Sequence, residues 1–165
     1  MGSAVADTSP LVFLSSLERF DLLDLFDQVL LPPQVLAELA AGSGKDQVTE
    51  PRVREAVKRG KLVLREAPVP SSFVSGLGEG ERAALFLAIR EPGTTFLVDD
   101  KPARHAARVF NVRTMSVPFL LAEGVRRGRL SPEELERDLD RLLALRYFIA
   151  PKVHRQALEI VRRVA

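Results

Sequence analysis

The sequence predicts an α/β fold, a three-layer sandwich around a parallel sheet of roughly five strands. Three observations lead there. Short apolar runs alternate with amphipathic helical stretches along most of the 165 residues, and the economical solution for such a pattern is a parallel sheet with helical crossovers. The run Thr94 to Val98 is bounded by Pro-Gly before it and by an Ala/Arg-rich helical stretch after it, as for a buried parallel strand. That strand exits into two adjacent carboxylates, Asp99 and Asp100, and in open α/β sheets chemistry collects at the carboxyl ends of strands. Neighbouring carboxylates repel unless a cation, a proton or a helix N-terminus compensates them.

From the start of the chain, Ala4 to Ala6 reads as a first strand ending at Asp7, and Leu11 to Leu17 as a helix. Taken alone, Asp7 to Ser9 is an ordinary helix N-cap with proline in the first turn. Phe20 to Phe26 is expected to be a second amphipathic helix, with Asp21, Asp24 and Asp27 on a solvated face. Gln28 to Leu31 is a second strand, and Pro32-Pro33 starts a helix reaching about Ala41. Glu38 lies three residues after Val35, near the apolar stripe of that helix, where it is costly unless paired or turned to solvent. Gly42 to Glu50 reads as a polar loop, Pro51 to Gly60 as a basic helix, Lys61 to Arg65 as a third strand and Ala67 to Gly76 as a connection.

Leu77 to Gly80 leads into a helix from Glu81 to about Arg90. Glu81 precedes Ala84, Leu85, Ala88 and Ile89 at helical spacing, so it falls on the inward face of the first turn. An acid there favours a helix N-terminus, which explains its charge but not its inward phase. After the strand Thr94 to Val98, Asp100 can cap a helix Lys101 to Phe110 while Asp99 faces the cleft, making Asp99 the preferred ligand and Asp100 a second candidate. Val112 to Met115 is a fifth strand, Ser116 to Gly128 a helix, and Ser131-Pro132-Glu133-Glu134 a capping box opening a helix to about Leu145. Tyr147 to Ile149 is a brief extended piece and Pro151 to Val164 the last helix. The whole is expected to be one domain, 1–165, with 130–165 as a helical extension.

Composition narrows the chemistry. No cysteine is present, which excludes disulfides, thiolate metal sites and cysteine nucleophiles. The two histidines, His105 and His154, are far apart in sequence, so any metal would be held by oxygen, the preference of Mg²⁺ and Mn²⁺. A formal charge of +2 is too mild to announce a nucleic-acid partner. No apolar run approaches the roughly 20 residues of a membrane span, nor does the N-terminus have the form of a signal peptide, so a cytoplasmic, membrane-free protein is expected. Asp7 and Asp99 at strand exits, Glu81 on an inward face and Glu38 on an earlier helix together describe an acidic pocket with room for one or two hard cations.

The segments AVADTSPLVFL, LLPPQVLAEL, GLGEGERAALFLA and FLVDDKPARHAARVFNVR, in this order and spacing, resemble the PIN-domain family, which includes VapC-type toxins. The likeness is to its short prokaryotic members with D-T/S-S-P, L-G-x-G-E and V-D-D-K/R segments, and it spans roughly residues 4 to 125. The resemblance implies a five-stranded parallel sheet, an acidic site and Mg²⁺- or Mn²⁺-dependent endonucleolytic cleavage of RNA. On that reading Asp7, Glu38, Glu81 and Asp99 are catalytic. Asp7, Glu81, Asp99 and Asp100 are metal ligands, while Ser9, with Thr8 as the alternative, supplies the hydroxyl that steadies the first carboxylate. Many members have Asp where this chain has Glu81, and the extra methylene alters the ligand's reach. Arg82, Lys101, Arg104, Arg126 and Arg127 are candidate RNA-binding cations around the rim. The family further implies a homodimer and an antitoxin partner. Two rival functions, and a purely structural reading of the acids without metal, stand beside it. One is a catalytically weak PIN-like binding module acting through a protein partner or RNA. The other, a phosphoacceptor receiver domain, fits poorly because the paired Asp follows the fourth strand.

Overall fold

A computed structural model describes residues 1–42 and 48–162. Its centre is a five-stranded sheet of order β3-β2-β1-β4-β5, every pair parallel. The strands are β1 (Ala4–Ala6), β2 (Val29–Leu31), β3 (Leu62–Leu64), β4 (Thr95–Leu97) and β5 (Arg113–Met115). The expected α/β sandwich is therefore the fold. Ala4, Val5 and Ala6 are all fully buried. Successive strand residues point to opposite faces, so helices must cover both sides of the sheet.

The helices are α1 (Thr8–Ser16), α2 (Pro33–Ala41), α3 (Thr49–Lys58), α4 (Glu79–Arg90), α5 (Lys101–Val109), α6 (Val117–Arg126), α7 (Pro132–Ala144) and α8 (Pro151–Arg162). Proline in the first turn opens α2, α5, α6 and α7, where its missing N–H is no loss. Ser131 and Glu134 form the predicted reciprocal capping box of α7. Residues 43–47 of the expected polar loop, and the end of the last helix, lie outside the described residues.

Local differences from the sequence reading have physical causes. The segment Phe20–Leu25 is a 3-10 helix rather than an α-helix. It must bridge the left-handed turn at Glu18 and the start of β2, and a 3-10 helix covers more distance per residue while still burying Leu22, Leu23 and Leu25. Helix α4 starts two residues earlier than expected, at Glu79, which makes Glu81 its third residue. Tyr147 to Ile149 forms no strand.

Strand β1 lies between β2 and β4, so chain direction across the sheet reverses there. The helices after β1 and β4 diverge at such a point and open a crevice beyond the strand ends. Helices α6, α7 and α8 pack on one another, and Arg19 ties α7 to the body through Asp138 at 2.6 Å and Glu134 at 3.0 Å. Among the described residues no helix is long and apolar enough to cross a membrane.

Candidate active site

Pairing of Ala6 with Leu97 brings the ends of β1 and β4 side by side, and the Asp7 amide donates to the Leu97 carbonyl at 3.1 Å. Asp7 and Asp99 thus leave neighbouring strands at the crevice. Asp7 stands at the N-cap position of α1, yet its side chain makes no capping hydrogen bond, and only 1% of it is exposed. Its pKa is pushed up from an ordinary 3.8 to about 7, first by burial and then by the charges of Glu81, Glu38 and Asp99, with the Thr8 amide opposing. The four carboxylates therefore share one electrostatic neighbourhood.

The other members are held by specific donors. Glu38 accepts the Thr8 hydroxyl at 2.6 Å on one oxygen and the Gly80 amide at 2.7 Å on the other. The pairing that makes a carboxylate tolerable on the inner margin of α2 comes from two distant segments. Gly80 leaves the space for it, since a Cβ there would lie under 3.0 Å from the Glu38 carboxylate, which would have to shift. The Thr8 hydroxyl thus goes to Glu38, the second acid, while Ser9 lines the pocket beside Asp99. Glu81 accepts the Gly78 amide at 2.9 Å, closing the first turn of α4, and burial with Asp100 and Glu38 nearby raises its pKa.

The two adjacent aspartates divide. Asp100 caps α5 by accepting from the Ala103 amide at 2.9 Å. Asp99 Oδ1 accepts both the Val117 amide, at 3.0 Å, and the Tyr147 hydroxyl. Its Oδ2 is buried with no hydrogen-bond partner. Burial lifts the Asp99 pKa to about 6 against the pull of Tyr147, Val117 and Arg104. The Tyr147 hydroxyl is itself pushed upward by burial and by Asp99. A pocket of about 440 Å³ connects these groups, lined by Ser9, Glu81, Asp99, Asp100, Lys101 and Arg104 together with residues of the segment 146–153.

A set made only of oxygen donors, with a buried orphan oxygen among them, suits a hard divalent cation. Among the described residues no three acids close around a single point.

Comparison with known proteins gives the family. The family model DUF3368, described as a PIN domain, matches residues 3–163. The chain belongs to the PIN-domain family. PIN domains are generally nucleases that use divalent metal ions. Among solved structures the chain is similar to a PilT N-terminus domain protein from the hyperthermophilic archaeon Sulfolobus solfataricus. The identity is 17% and the TM-score 0.50, over 74% of this chain and 92% of that one, a likeness of fold. Comparison with curated proteins gives no match.

Within this PIN domain the rim cations fall into two sets. Arg82 donates to the carbonyls of Pro70, Ser71 and Phe73, and Arg126 and Arg127 both pair with Glu123. Lys101 and Arg104 line the acidic pocket and, among the described residues, form no ion pair. The sequence marked neither Arg146 nor Tyr147 as a site residue; both line the same pocket. No spacing could have found them, because the turn after α7 brings them back across the site.

Proposed function

We propose that this PIN domain is a metal-dependent endoribonuclease that cleaves single-stranded RNA at the crevice beyond β1 and β4. The observation that supports it most directly is the partnerless buried Oδ2 of Asp99 beside the elevated carboxyl of Asp7. Asp7, Glu81 and Asp99 are the residues that would hold Mg²⁺ or Mn²⁺, directly or through bound water, with Asp100 a second candidate whose Oδ2 is engaged in its cap. When bound, the cation supplies a water of lowered pKa and offsets charge on the phosphate. Glu38, held at both oxygens by Thr8 and Gly80, is fixed to orient the attacking water. Lys101 and Arg104 meet the incoming phosphates, whose charge the acids alone would repel.

The test is cleavage of an end-labelled single-stranded RNA panel with Mn²⁺, Mg²⁺ or EDTA, beside the Asp7→Asn and Asp99→Asn proteins. Metal-dependent cutting that disappears in both variants is the expected result. No cutting by folded, partner-free protein in either metal would leave a binding module instead. A toxin role adds growth arrest on expression, relieved by Asp99→Asn; normal growth beside an active nuclease would reject it. The homodimer reading draws on Leu143 and Leu145, apolar and exposed near the end of α7, and light scattering at micromolar concentration tests it against the 18.2 kDa monomer.

A further inference from the structure

We propose that residues 146–148 form a clamp for one nucleotide of single-stranded RNA, with the Phe148 ring stacking on its base and Arg146, Lys101 and Arg104 holding the flanking phosphates. The proposal deepens the ribonuclease reading, on which it rests.

The turn after α7 arranges the clamp. Arg146 adopts the left-handed conformation (φ 62°), its amide donates to the Leu143 carbonyl at 3.0 Å, and the Tyr147 amide donates to the Leu142 carbonyl at 3.0 Å. This pair of bonds is a Schellman closure, which ends the helix and sets the direction of the following residues. A glycine would meet that backbone demand at lower cost, as Gly128 does after α6. Here the position carries a guanidinium that lines the acidic pocket. The next residue is tied to Asp99 through its hydroxyl and packs edge-on against Phe13, ring centroids 4.8 Å apart. The strap is thereby ordered before any substrate arrives.

Phe148 then stands 87% exposed at the mouth of the same pocket. Phe13, Ala150 and Val153 add apolar surface to the lining that also holds Asp99, Asp100 and Glu81. Apolar surface with an exposed aromatic ring, acids and three cations in one pocket match a nucleotide: a base with a π-face, and a phosphate that needs countercharge. Arg146 joins Lys101 and Arg104 in forming no ion pair among the described residues. A protein-protein patch would not gather unpaired cations around an acidic floor, and Leu143 lines a separate hollow with Ile149, Pro151, His154 and Arg155. A base held by a single exposed ring is unstacked from its neighbours, so the clamp selects single strands over duplex.

The experiment measures fluorescence anisotropy of labelled oligo(U), oligo(A) and a duplex RNA with the full chain, in EDTA and again in Ca²⁺. Phe148→Ala is expected to weaken single-strand binding about tenfold, while leaving the Mn²⁺-induced rise in melting temperature intact. Phe148→Trp should retain affinity, and its indole, the only one in a chain without tryptophan, should be quenched as RNA saturates it. Arg146→Ala should reduce the slope of log affinity against log salt by about 0.7, one single-strand phosphate. Unchanged affinity in Phe148→Ala, no quenching in Phe148→Trp, or no binding of any single strand by the native chain would overturn the clamp. A halved mass in light scattering for Phe148→Ala, with RNA affinity unchanged, would make Phe148 a protein contact. Loss of binding in Phe148→Ala with no cleavage by the native protein would keep the clamp and remove the nuclease; unchanged binding with intact cleavage would do the reverse.

Discussion

Tyr147 donates its hydroxyl proton to Oδ1 of Asp99, a residue 48 positions earlier, on the oxygen that also takes the Val117 amide. The second bond holds the carboxylate from the C-terminal side and leaves Oδ2 as its unpartnered atom. Tyr147→Phe keeps the ring against Phe13 and removes only this bond. A hydrogen bond to a charged group contributes about 1.5–3 kcal/mol, so kcat for RNA cleavage should fall about tenfold with KM nearly unchanged. An equal rise in KM would instead assign Tyr147 to substrate binding.

The elevated carboxyls make stability depend on pH with a definite sign. Asp7 at about 7 and Asp99 at about 6 both lie above their unfolded value of 3.8. The folded state therefore binds more protons than the unfolded chain between those limits, and metal-free stability falls as pH rises from about 4 to about 7. The loss is on the order of a few kcal/mol. Thermal melts in EDTA across this range should show the decline, and Asp7→Asn should flatten it. A melting temperature rising steadily from pH 4 to 7 would contradict the buried, elevated state of these acids.

Divalent cation should reverse that penalty. At a hundredfold excess over Kd, binding to the folded state alone adds about 2.7 kcal/mol, a rise of roughly 5 °C or more for a chain this size. Asp7→Asn and Asp99→Asn should each melt at or above the native temperature in EDTA, because a buried charge is gone, yet lose the Mn²⁺-dependent increment. Differential scanning with and without millimolar Mn²⁺ reads both effects.

Gly80→Ala separates helix propensity from the site. In the first turn of α4 alanine favours helix by about 0.5–1 kcal/mol. Its Cβ would nevertheless collide with the carboxylate of Glu38. Cleavage is expected to drop at least tenfold without a gain in melting temperature, and Gly80→Ala combined with Glu38→Gln should add little further loss. A more stable, fully active variant would show that Glu38 need not be held there.

Asp100 and Asp99 can be told apart by one isosteric change each. Asparagine is as good an N-cap as aspartate, so Asp100→Asn should keep the melting temperature and most of the cleavage rate. Asp99→Asn should abolish cleavage. Comparable loss in both would restore Asp100 as a ligand.

Alternating patterns and turn residues already specified the sheet, because apolar periodicity and proline or capping signals are local consequences of chain chemistry. The same holds for Asp7 and Asp99, whose place at strand exits follows from position alone. Glu81 was legible through helical phase, although its third-turn-residue bond to Gly78 was not. Other assignments needed the tertiary structure. It decided that Thr8 supports Glu38, that Gly80 makes room for it, and which oxygen of Asp99 stays free, whereas the Asp100 cap was already legible at the helix start. It also separated Lys101 and Arg104 from the paired Arg126 and Arg127, and carried Arg146, Tyr147 and Phe148 from a distant helix end to the crevice. Sequence determines which groups a segment can offer and in which local phase. Which donor reaches which acid depends on distances between segments tens of residues apart, and only packing sets those.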